Sequence, residues 1–291
     1  MKILYLGTRK EILEKCYQMG FEIVYSLVIE GSNAEVFLKQ KGYHYDIINK
    51  ENKDQMLKKL LEYEYHIAVS CGFPYIIPDE IIQSVGIYKI INFHPSLLPQ
   101  YIGLHPISGV LLKGGKKTGV TCHFIDMGLD TGNIILKKEI ELSEDIDADL
   151  LYQILFKLEG EVFVEVCKIL MENSYIYSGK KQTGKCVTYY RKKLDRCINF
   201  NTMNTYTILN IIRAFANPRL GSYITDGSNK YLVYLAERIV NKYLIQEYIN
   251  EKAGKVLICS NFWIIVKTLD GIIKIHREES WNNMTEGIQF V

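Results

Sequence analysis

Buried strands alternate with amphipathic helices along the first part of the chain, and this alternation constrains the fold most. An apolar strand is predicted at residues 2–6, a helix at 10–19 and a second strand at 22–29. A further strand–helix unit follows at residues 45–63, and a fourth strand at 66–71. Strands connected through helices pair in parallel and carry helices on both faces of the sheet. The sequence therefore predicts an α/β fold with a Rossmann-like parallel sheet.

The same domain is predicted to continue over the next hundred or so residues, by the usual size of such domains. Strands are predicted at residues 89–93, 119–126 and 134–142, the last of them as a possible hairpin partner. A long helix at residues 149–172 carries apolar side chains along one face. The first domain is therefore predicted to span residues 1–180.

The composition changes at the end of this predicted domain. Seven basic residues and a single acid lie between residues 178 and 196, so residues 181–202 are predicted to form a basic linker. A helix is predicted at residues 203–216, and short strands separated by turn residues follow it. This pattern is typical of a small barrel-like β domain, predicted here as OB-like over residues 203–291.

Charge and cysteine content exclude several classes of function. The chain carries 35 Lys and Arg against 33 Asp and Glu, so no global field indicates a nucleic-acid or membrane partner. Seven scattered cysteines without a Cys-x-x-Cys pair favour reduced thiols in the cytoplasm over a disulfide framework. Neither a signal peptide nor a membrane helix is predicted. No metal site is predicted, because the histidines and cysteines lack a ligand spacing.

Two polar side chains lie at the end of the predicted central strand. Asn92 and His94 are separated by one residue, so their side chains point to the same face of the strand. Ligands of parallel sheets bind beyond the carboxyl ends of the strands, where this pair lies. Pro95 and Pro99 lack a backbone N–H, so they end the strand pairing and stiffen the following loop. The pair is therefore a candidate catalytic centre.

A third polar candidate follows the predicted strand at residues 119–126. Asp130 lies in a loop with a glycine on either side, and these glycines permit a tight course that could bring it toward His94. His123 lies on the strand itself. For His123 we favour a hydrogen-bonded structural residue over an acid or base.

These segments together resemble the folate-dependent formyltransferase family. The order and spacing of that family are matched by two runs: Asn92-x-His94-x-Ser96-Leu97-Leu98-Pro99, and then Gly128-Leu129-Asp130-Thr131-Gly132. The resemblance covers roughly residues 1 to 170. It implies that Asn92, His94 and Asp130 transfer a formyl group from N10-formyltetrahydrofolate to a primary amine.

The resemblance also implies where the folate co-substrate binds. The loop at residues 70–78 is similar to the segment whose backbone holds the pterin ring in such enzymes. The implied folate contacts are Phe73, Tyr75, Ile76, Ile77, Asp126 and Leu129. Farther along, residues 212–221 resemble the opening of the C-terminal domain in the longer members.

The three residue types suit formyl transfer. An amine that attacks a formyl carbon generates an oxyanion, which an amide N–H of Asn92 can stabilise. His94 can take the proton of the amine or donate to the same oxygen. A neighbouring Asp130 carboxylate is expected to raise the pKa of His94 and to fix its orientation.

Three acceptors fit such an enzyme: glycinamide ribonucleotide, methionyl-tRNA and a nucleotide-linked amino sugar. Enzymes resembling the purine-pathway transformylase end at roughly residue 200 and carry a Gly-Ser-Asn loop, whereas this chain is longer and has Gly7-Thr8-Arg9. In the tRNA-type members, a basic residue stands where this chain has Ile102. Those members also have a tryptophan near the position of Pro218, and this chain lacks it. Because His105-Pro106 resembles the sugar N-formyltransferases, an amino (dideoxy) sugar is the first prediction and methionyl-tRNA the alternative.

Other expectations follow from this ranking. By resemblance, Arg9 and His105 are expected to contact the acceptor. The basic residues at 180–196 are interpreted as a solvated linker, although they could also contact tRNA phosphates or a diphosphate. Apolar area in the second domain suggests a homodimer, and a non-catalytic binding module is the third alternative for the whole chain. The folate supply indicates the cytoplasm.

Overall fold

A computed structural model describes residues 1–86, 88–217, 220–281 and 284–291, and it divides into two compact units. The first unit comprises Met1–Pro106, Lys117–Glu141 and Gln153–Tyr189. The second comprises Ile107–Lys116, Leu142–Tyr152 and Tyr190–Val291. Pro218 and Arg219, which belong to the family-like run at residues 212–221, lie outside the described residues.

The first unit contains a seven-stranded sheet and a separate pair of short strands. The strands are β1 Lys2–Gly7, β2 Glu22–Val28, β3 Asp46–Ile47, β4 Ile67–Cys71, β5 Ile90–His94, β6 Gln100–Ile102, β7 Lys117–Phe124, β8 Ile134–Glu141 and β9 Val187–Thr188. The large sheet has the order β3-β2-β1-β4-β5-β7-β8, and β6 pairs with β9. This sheet confirms the predicted α/β class.

The sheet is mixed rather than wholly parallel. Strands β1 to β5 pair in parallel as predicted, whereas β7 pairs antiparallel with both β5 and β8. His94 at the end of β5 lies opposite Thr121, so β7 begins beyond the edge of the sheet where β5 ends. A parallel pair would need a crossover that returns the chain to the opposite edge. The chain makes no such return between β5 and β7.

Helices cover both faces of this sheet. The helices of the first unit are α1 Lys10–Gln18, α2 Asn33–Lys41, α3 Lys53–Lys58, α4 Asp79–Val85 and most of α6 Ala148–Glu172, whereas α5 Pro106–Leu112 belongs almost wholly to the second unit. On one face, Ile81 of α4 lies in a buried cluster with Leu4 and Ile90. On the other face, Phe163 of α6 meets Phe93 edge to face, with ring centroids 6.1 Å apart. Each fully buried side chain of this size contributes about 1.5–3 kcal/mol.

The second unit carries a small antiparallel β structure, as predicted. It contains α7 Thr205–Ala214, β10 Ser222–Thr225, β11 Lys230–Val233, β12 Ala236–Arg238, α8 Lys242–Glu247, β13 Val256–Cys259, β14 Trp263–Lys267 and β15 Ile272–His276. Strands β10 and β11 form one sheet, and the other has the order β12-β15-β14-β13. Asn204 begins α7, because its side chain accepts a hydrogen bond from the Thr207 N–H.

Membrane spans and metal clusters are absent from the part of the chain that the structure describes. None of the helices there is both long and apolar enough to cross a bilayer. The same residues include no group of three or more His, Cys, Asp or Glu side chains placed to hold a metal ion.

Candidate active site

Three polar side chains form a row across neighbouring strands of the large sheet. The register pairs Ser70 of β4 with Asn92 of β5, and Asn92 with His123 of β7. Ser70 Oγ donates to Asn92 Oδ1 over 2.8 Å, and Asn92 Nδ2 lies 3.1 Å from His123 Nε2. Strand register therefore orients the predicted Asn92 from both sides.

The Phe124 carbonyl oxygen decides which nitrogen of His123 carries the hydrogen, and this in turn decides which way Asn92 bonds. His123 Nδ1 lies 2.8 Å from the Phe124 carbonyl oxygen, so in a neutral ring this nitrogen carries the hydrogen. His123 Nε2 is then an acceptor, and Asn92 donates one of its two N–H groups to it. The row thus presents Asn92 as a hydrogen-bond donor.

His94 ends β5 and is held between two acceptors. Its Nε2 lies 2.9 Å from the Tyr101 carbonyl oxygen, and its Nδ1 lies 3.6 Å from Asp130 Oδ2. The carbonyl fixes the hydrogen of a neutral ring on Nε2, which leaves Nδ1 as the basic nitrogen. A ring protonated at Nδ1 would have an acceptor at each nitrogen. The geometry therefore suits a base that gains and loses one proton.

The structure brings Asp130 to this pair, although it lies 36 residues farther along the chain than His94. The Gly103 N–H donates to Asp130 Oδ2 over 3.0 Å, and Asp130 Oδ1 lies 3.5 Å from His123 Nε2. The side chains of His94 and Asp130 are 7% and 11% exposed. A carboxylate and two imidazoles thus share one nearly buried site.

Two residues that lie against the His94 ring have a strained backbone. Tyr101 has φ 57° and Asp130 has φ 53°, both in the left-handed region that glycine normally occupies. This conformation costs roughly 1–2 kcal/mol for a residue with a side chain. Such strain persists where surrounding contacts enforce a functional geometry.

Burial governs the titration of His94. Burial lowers the pKa of His94 below its usual value, and the raising influence of Asp130 does not outweigh it. Asp130 does raise the pKa of His94, as expected, but the expected net rise is not found, because the expectation left out the cost of burying an imidazolium ion. Burial raises the pKa of Asp130, but the nearby His123 and His94 rings and the hydrogen bond from the Gly103 N–H hold the net pKa below its usual range.

A cavity of about 290 Å³ opens onto the three predicted catalytic residues. Its lining includes Asn92, His94 and Asp130, with the apolar side chains of Phe73 and Leu129. Apolar walls around a few convergent polar groups are typical of small-molecule sites. A larger cavity of about 580 Å³ lies elsewhere, beside Lys2 at the start of β1.

The six predicted folate contacts occupy different environments. Phe73 and Leu129 line the cavity, and the Phe73 and Tyr75 rings meet edge to face, 5.7 Å apart. Ile76 is 82% exposed, whereas Ile77 is buried in the core and can reach a ligand only through its backbone. Asp126 shapes the loop: its Oδ1 accepts from the Gly128 N–H and the Thr131 hydroxyl, as part of the run at residues 126–131.

The two predicted acceptor contacts also differ. Arg9 lines the cavity, but its Nη1 lies 2.8 Å from both carboxyl oxygens of Glu159, and its guanidinium lies 3.7 Å from the centroid of the Phe156 ring. The Nη1 group of Arg9 is thus bonded within the protein. His105 is half-buried, on the segment whose neighbours Leu104 and Pro106 line the cavity.

Sequence reasoning missed three residues of this site or gave them a lesser role. Ser70 and His123 lie on strands whose side chains alternate between the two faces of the sheet, like those of the strand with Asn92. Only the pairing register of these strands shows that both residues lie beside Asn92. Glu159 interrupts the apolar face of α6, and an acid at such a position signals a buried partner. That partner is Arg9.

The chain is similar to known formyltransferases in sequence and in fold. The family model described as "Formyl transferase" matches residues 27–167, and the model described as "Formyl transferase, C-terminal domain" matches residues 191–284. The methionyl-tRNA formyltransferase of Clostridium botulinum (strain Alaska E43 / Type E3) is 31% identical over 242 residues, which cover 79% of this chain and 76% of that protein.

Two solved structures share the fold along nearly the whole chain. WlaRD, a sugar 3N-formyl transferase solved with dTDP and 5-N-formyl-THF, has a TM-score of 0.71 at 23% identity and covers 97% of this chain and 98% of its own. An N-formyltransferase from Helicobacter canadensis, solved with folinic acid and dTDP-3-aminofucose, has a TM-score of 0.72 at 22% identity. That comparison covers 95% of this chain and 99% of the other. With both family descriptions matched, the chain belongs to the formyl transferase family and is a folate-dependent formyltransferase.

Proposed function

We propose that this enzyme transfers the formyl group of N10-formyltetrahydrofolate to the primary amine of a nucleotide-linked amino sugar. Asn92, His94 and Asp130 are its proposed catalytic residues. The observation that carries the proposal is their convergence on one cavity, which Phe73 and Leu129 also line. These two apolar residues are the proposed walls of the folate site.

The choice of a sugar acceptor is supported by Ile102. Its side chain is 7% exposed and lies in a buried cluster with Leu98 and Ile134. By resemblance, the tRNA-type members carry a basic residue at this position, and a charge would be costly in this apolar cluster. The fold-level likeness to two sugar N-formyltransferases, one with a bound dTDP-linked amino sugar, is further support.

The proposed reaction forms one bond and breaks another. The amine nitrogen of the acceptor attacks the formyl carbon, the bond from that carbon to N10 breaks, and the products are a formamide and tetrahydrofolate. Asn92 donates its remaining N–H to the formyl oxygen as negative charge develops there. His94 Nδ1 takes the proton that the amine loses and returns a proton to the departing nitrogen. Asp130 stabilises the transiently charged imidazolium.

Methionyl-tRNA is the second candidate acceptor. The 31% identity to the Clostridium botulinum enzyme favours it. The seven basic residues between 178 and 196 could contact phosphates, and each such contact would make binding weaker as salt rises. A net charge of +2 gives no broader basic field for a large polyanion. Arg9 and His105 remain our proposed contacts for the smaller acceptor.

An acceptor panel distinguishes these two candidates. The full chain is mixed with 10-formyltetrahydrofolate and, separately, with dTDP- and UDP-linked 3-amino and 4-amino sugars, methionyl-tRNA and a no-acceptor blank. We expect tetrahydrofolate release with at least one amino sugar and blank-level release with methionyl-tRNA. Release with methionyl-tRNA alone would overturn the sugar assignment and leave the formyl-transfer assignment intact.

The pH dependence of the reaction is a second prediction. A general base must be unprotonated, so kcat/KM should rise with pH through the pKa of His94 and level off above it. Because burial lowers that pKa, the plateau should be complete at neutral pH. Asp130→Asn removes an influence that raises the pKa, so the rising limb should move to lower pH while the plateau falls.

This second prediction has a control in the same loop. Asp126→Asn changes a carboxylate that bonds within its own turn, and the position of its rising limb should match that of the parent enzyme. A limb that moves to higher pH in Asp130→Asn would contradict the proposed role of Asp130.

Two broader proposals accompany this function. The free cysteines, four of them buried, and the folate donor support a cytoplasmic location. A homodimer remains a prediction, and the mass of the protein in solution tests it.

A further inference from the structure

Residues 180–188, here called the strap, are hydrogen-bonded to the start of β8 and to β6. At one end, backbone hydrogen bonds of 2.7 Å run in both directions between Lys180 and Ile134, which begins β8. At the other end, Val187 and Thr188 of β9 pair with β6, next to Tyr101. The strap belongs to the first unit and includes the start of the predicted basic linker. It is therefore hydrogen-bonded to the catalytic unit at both ends.

One side chain of the strap reaches the loop that carries Asp130. Gln182 Nε2 donates to the Asp130 carbonyl oxygen over 2.7 Å and to the Gly132 carbonyl oxygen over 2.9 Å. The Asn133 side chain adds a bond of 2.8 Å to the Ser178 carbonyl oxygen just before the strap. Gln182 thus binds the backbone of Asp130 while the carboxylate of that residue faces His94.

The two bonds from Gln182 act where the backbone needs support. Asp130 holds a left-handed φ of 53°, a conformation that costs roughly 1–2 kcal/mol. Each hydrogen bond contributes about 0.5–1.5 kcal/mol, so two of them offset a strain of that size. On the opposite side, the Gly103 N–H holds the Asp130 carboxylate. Gln182 and Gly103 therefore fix Asp130 at its backbone and at its side chain.

We propose that Gln182 is a positioning residue for formyl transfer, which acts by fixing the backbone of Asp130 so that its carboxylate faces His94. This proposal rests on the proposed catalytic role of Asp130. Gln182 need not touch either substrate for this role. Its contribution should therefore appear in the rate of the chemical step and in the titration of His94.

The test uses Gln182→Met, which keeps the length of the side chain and removes its N–H donors. Misplacement of a catalytic group by about 1 Å costs roughly 100-fold in rate, so we expect kcat to fall about 10- to 100-fold, with KM for the folate changed less than about threefold. Thr183→Val, at an exposed neighbouring position of the strap, should retain the parent kcat. Thermal unfolding of both variants shows whether a loss of activity reflects misfolding.

A second measurement does not depend on any acceptor. The pKa of His94 is followed by NMR in protein labelled at histidine. The groups that face this ring are Asp130, His123, Arg9 and the Tyr101 carbonyl, and of the charged groups only Asp130 raises its pKa. Displacement of Asp130 in Gln182→Met should therefore lower the pKa of His94, in the same direction as is expected for Asp130→Asn.

The outcomes separate this inference from the proposed function. Gln182→Met should cause no further loss in an Asp130→Asn background, because the carboxylate that it positions is gone. The positioning role would be overturned if Gln182→Met left both kcat and the pKa of His94 unchanged. It would also be overturned if Gln182→Met lowered kcat by the same factor in the parent enzyme and in Asp130→Asn. A parent enzyme that formylates no acceptor, with a His94 pKa that still falls in Gln182→Met, would instead overturn the proposed function alone.

Discussion

The variant Asn92→Ala should lose about 100- to 1000-fold in kcat, the usual cost of removing a side-chain donor to a developing oxyanion. The row of Ser70, Asn92 and His123 holds this amide rigidly, so alanine removes the donor without a substitute nearby. The loss should fall on kcat, because the interaction strengthens only as charge develops on the formyl oxygen. Steady-state release of tetrahydrofolate measures it.

Two controls accompany this variant. Ser70→Ala keeps the Asn92 amide but removes one of its two anchors, so its loss in kcat should be smaller than that of Asn92→Ala. The melting temperature of Asn92→Ala should stay close to that of the parent chain, because the side chain is only partly buried. Retention of most activity by Asn92→Ala would refute the catalytic assignment.

The largest effect on stability is expected from Glu159→Ala. The Glu159 carboxylate is fully buried and pairs at 2.8 Å with Arg9, which is 12% exposed and also packs over Phe156. Removal of one partner leaves an uncompensated buried charge, which costs about 3–5 kcal/mol in the free energy of unfolding. Urea unfolding followed by circular dichroism measures this loss.

A double variant provides the matched control for this prediction. Glu159→Leu combined with Arg9→Met removes both charges and keeps most of the buried volume, so its stability should lie within about 1–2 kcal/mol of the parent. A Glu159→Ala chain as stable as the parent would show that water reaches the guanidinium of Arg9. Activity is not the readout here, because Arg9 is also a proposed acceptor contact.

The sequence predicts those features of the fold that depend on local patterns. Apolar strands and amphipathic helices indicate the α/β class, and the short strands with turns indicate the antiparallel β structure at the end of the chain. The direction of β7 is not a local property. It depends on the edge at which the chain re-enters the sheet after β5, and no residue type signals that edge.

Two signals in the sequence predicted part of the site: the alternation of side chains along a strand, and a spacing of residues that resembles the family. Asn92 and His94 share one face of β5, and the loop with two glycines does bring Asp130 to His94. The backbone groups of Tyr101 and Gly103 hold the site without any residue-type signal. Gln182 lies in a segment whose basic composition indicates a linker, so only its hydrogen bonds reveal its position.

The central claim, that this site moves a formyl group from folate to an amine, is tested most directly by following the label of [13C-formyl]-10-formyltetrahydrofolate with NMR. The parent enzyme and His94→Ala are each incubated with the amino sugar that gives release in the acceptor panel. We predict a 13C formamide signal on the sugar amine with the parent enzyme, and a formation rate at least about 100-fold lower with His94→Ala. Formamide formed equally fast by His94→Ala, or label that appears only as free formate, would contradict the account.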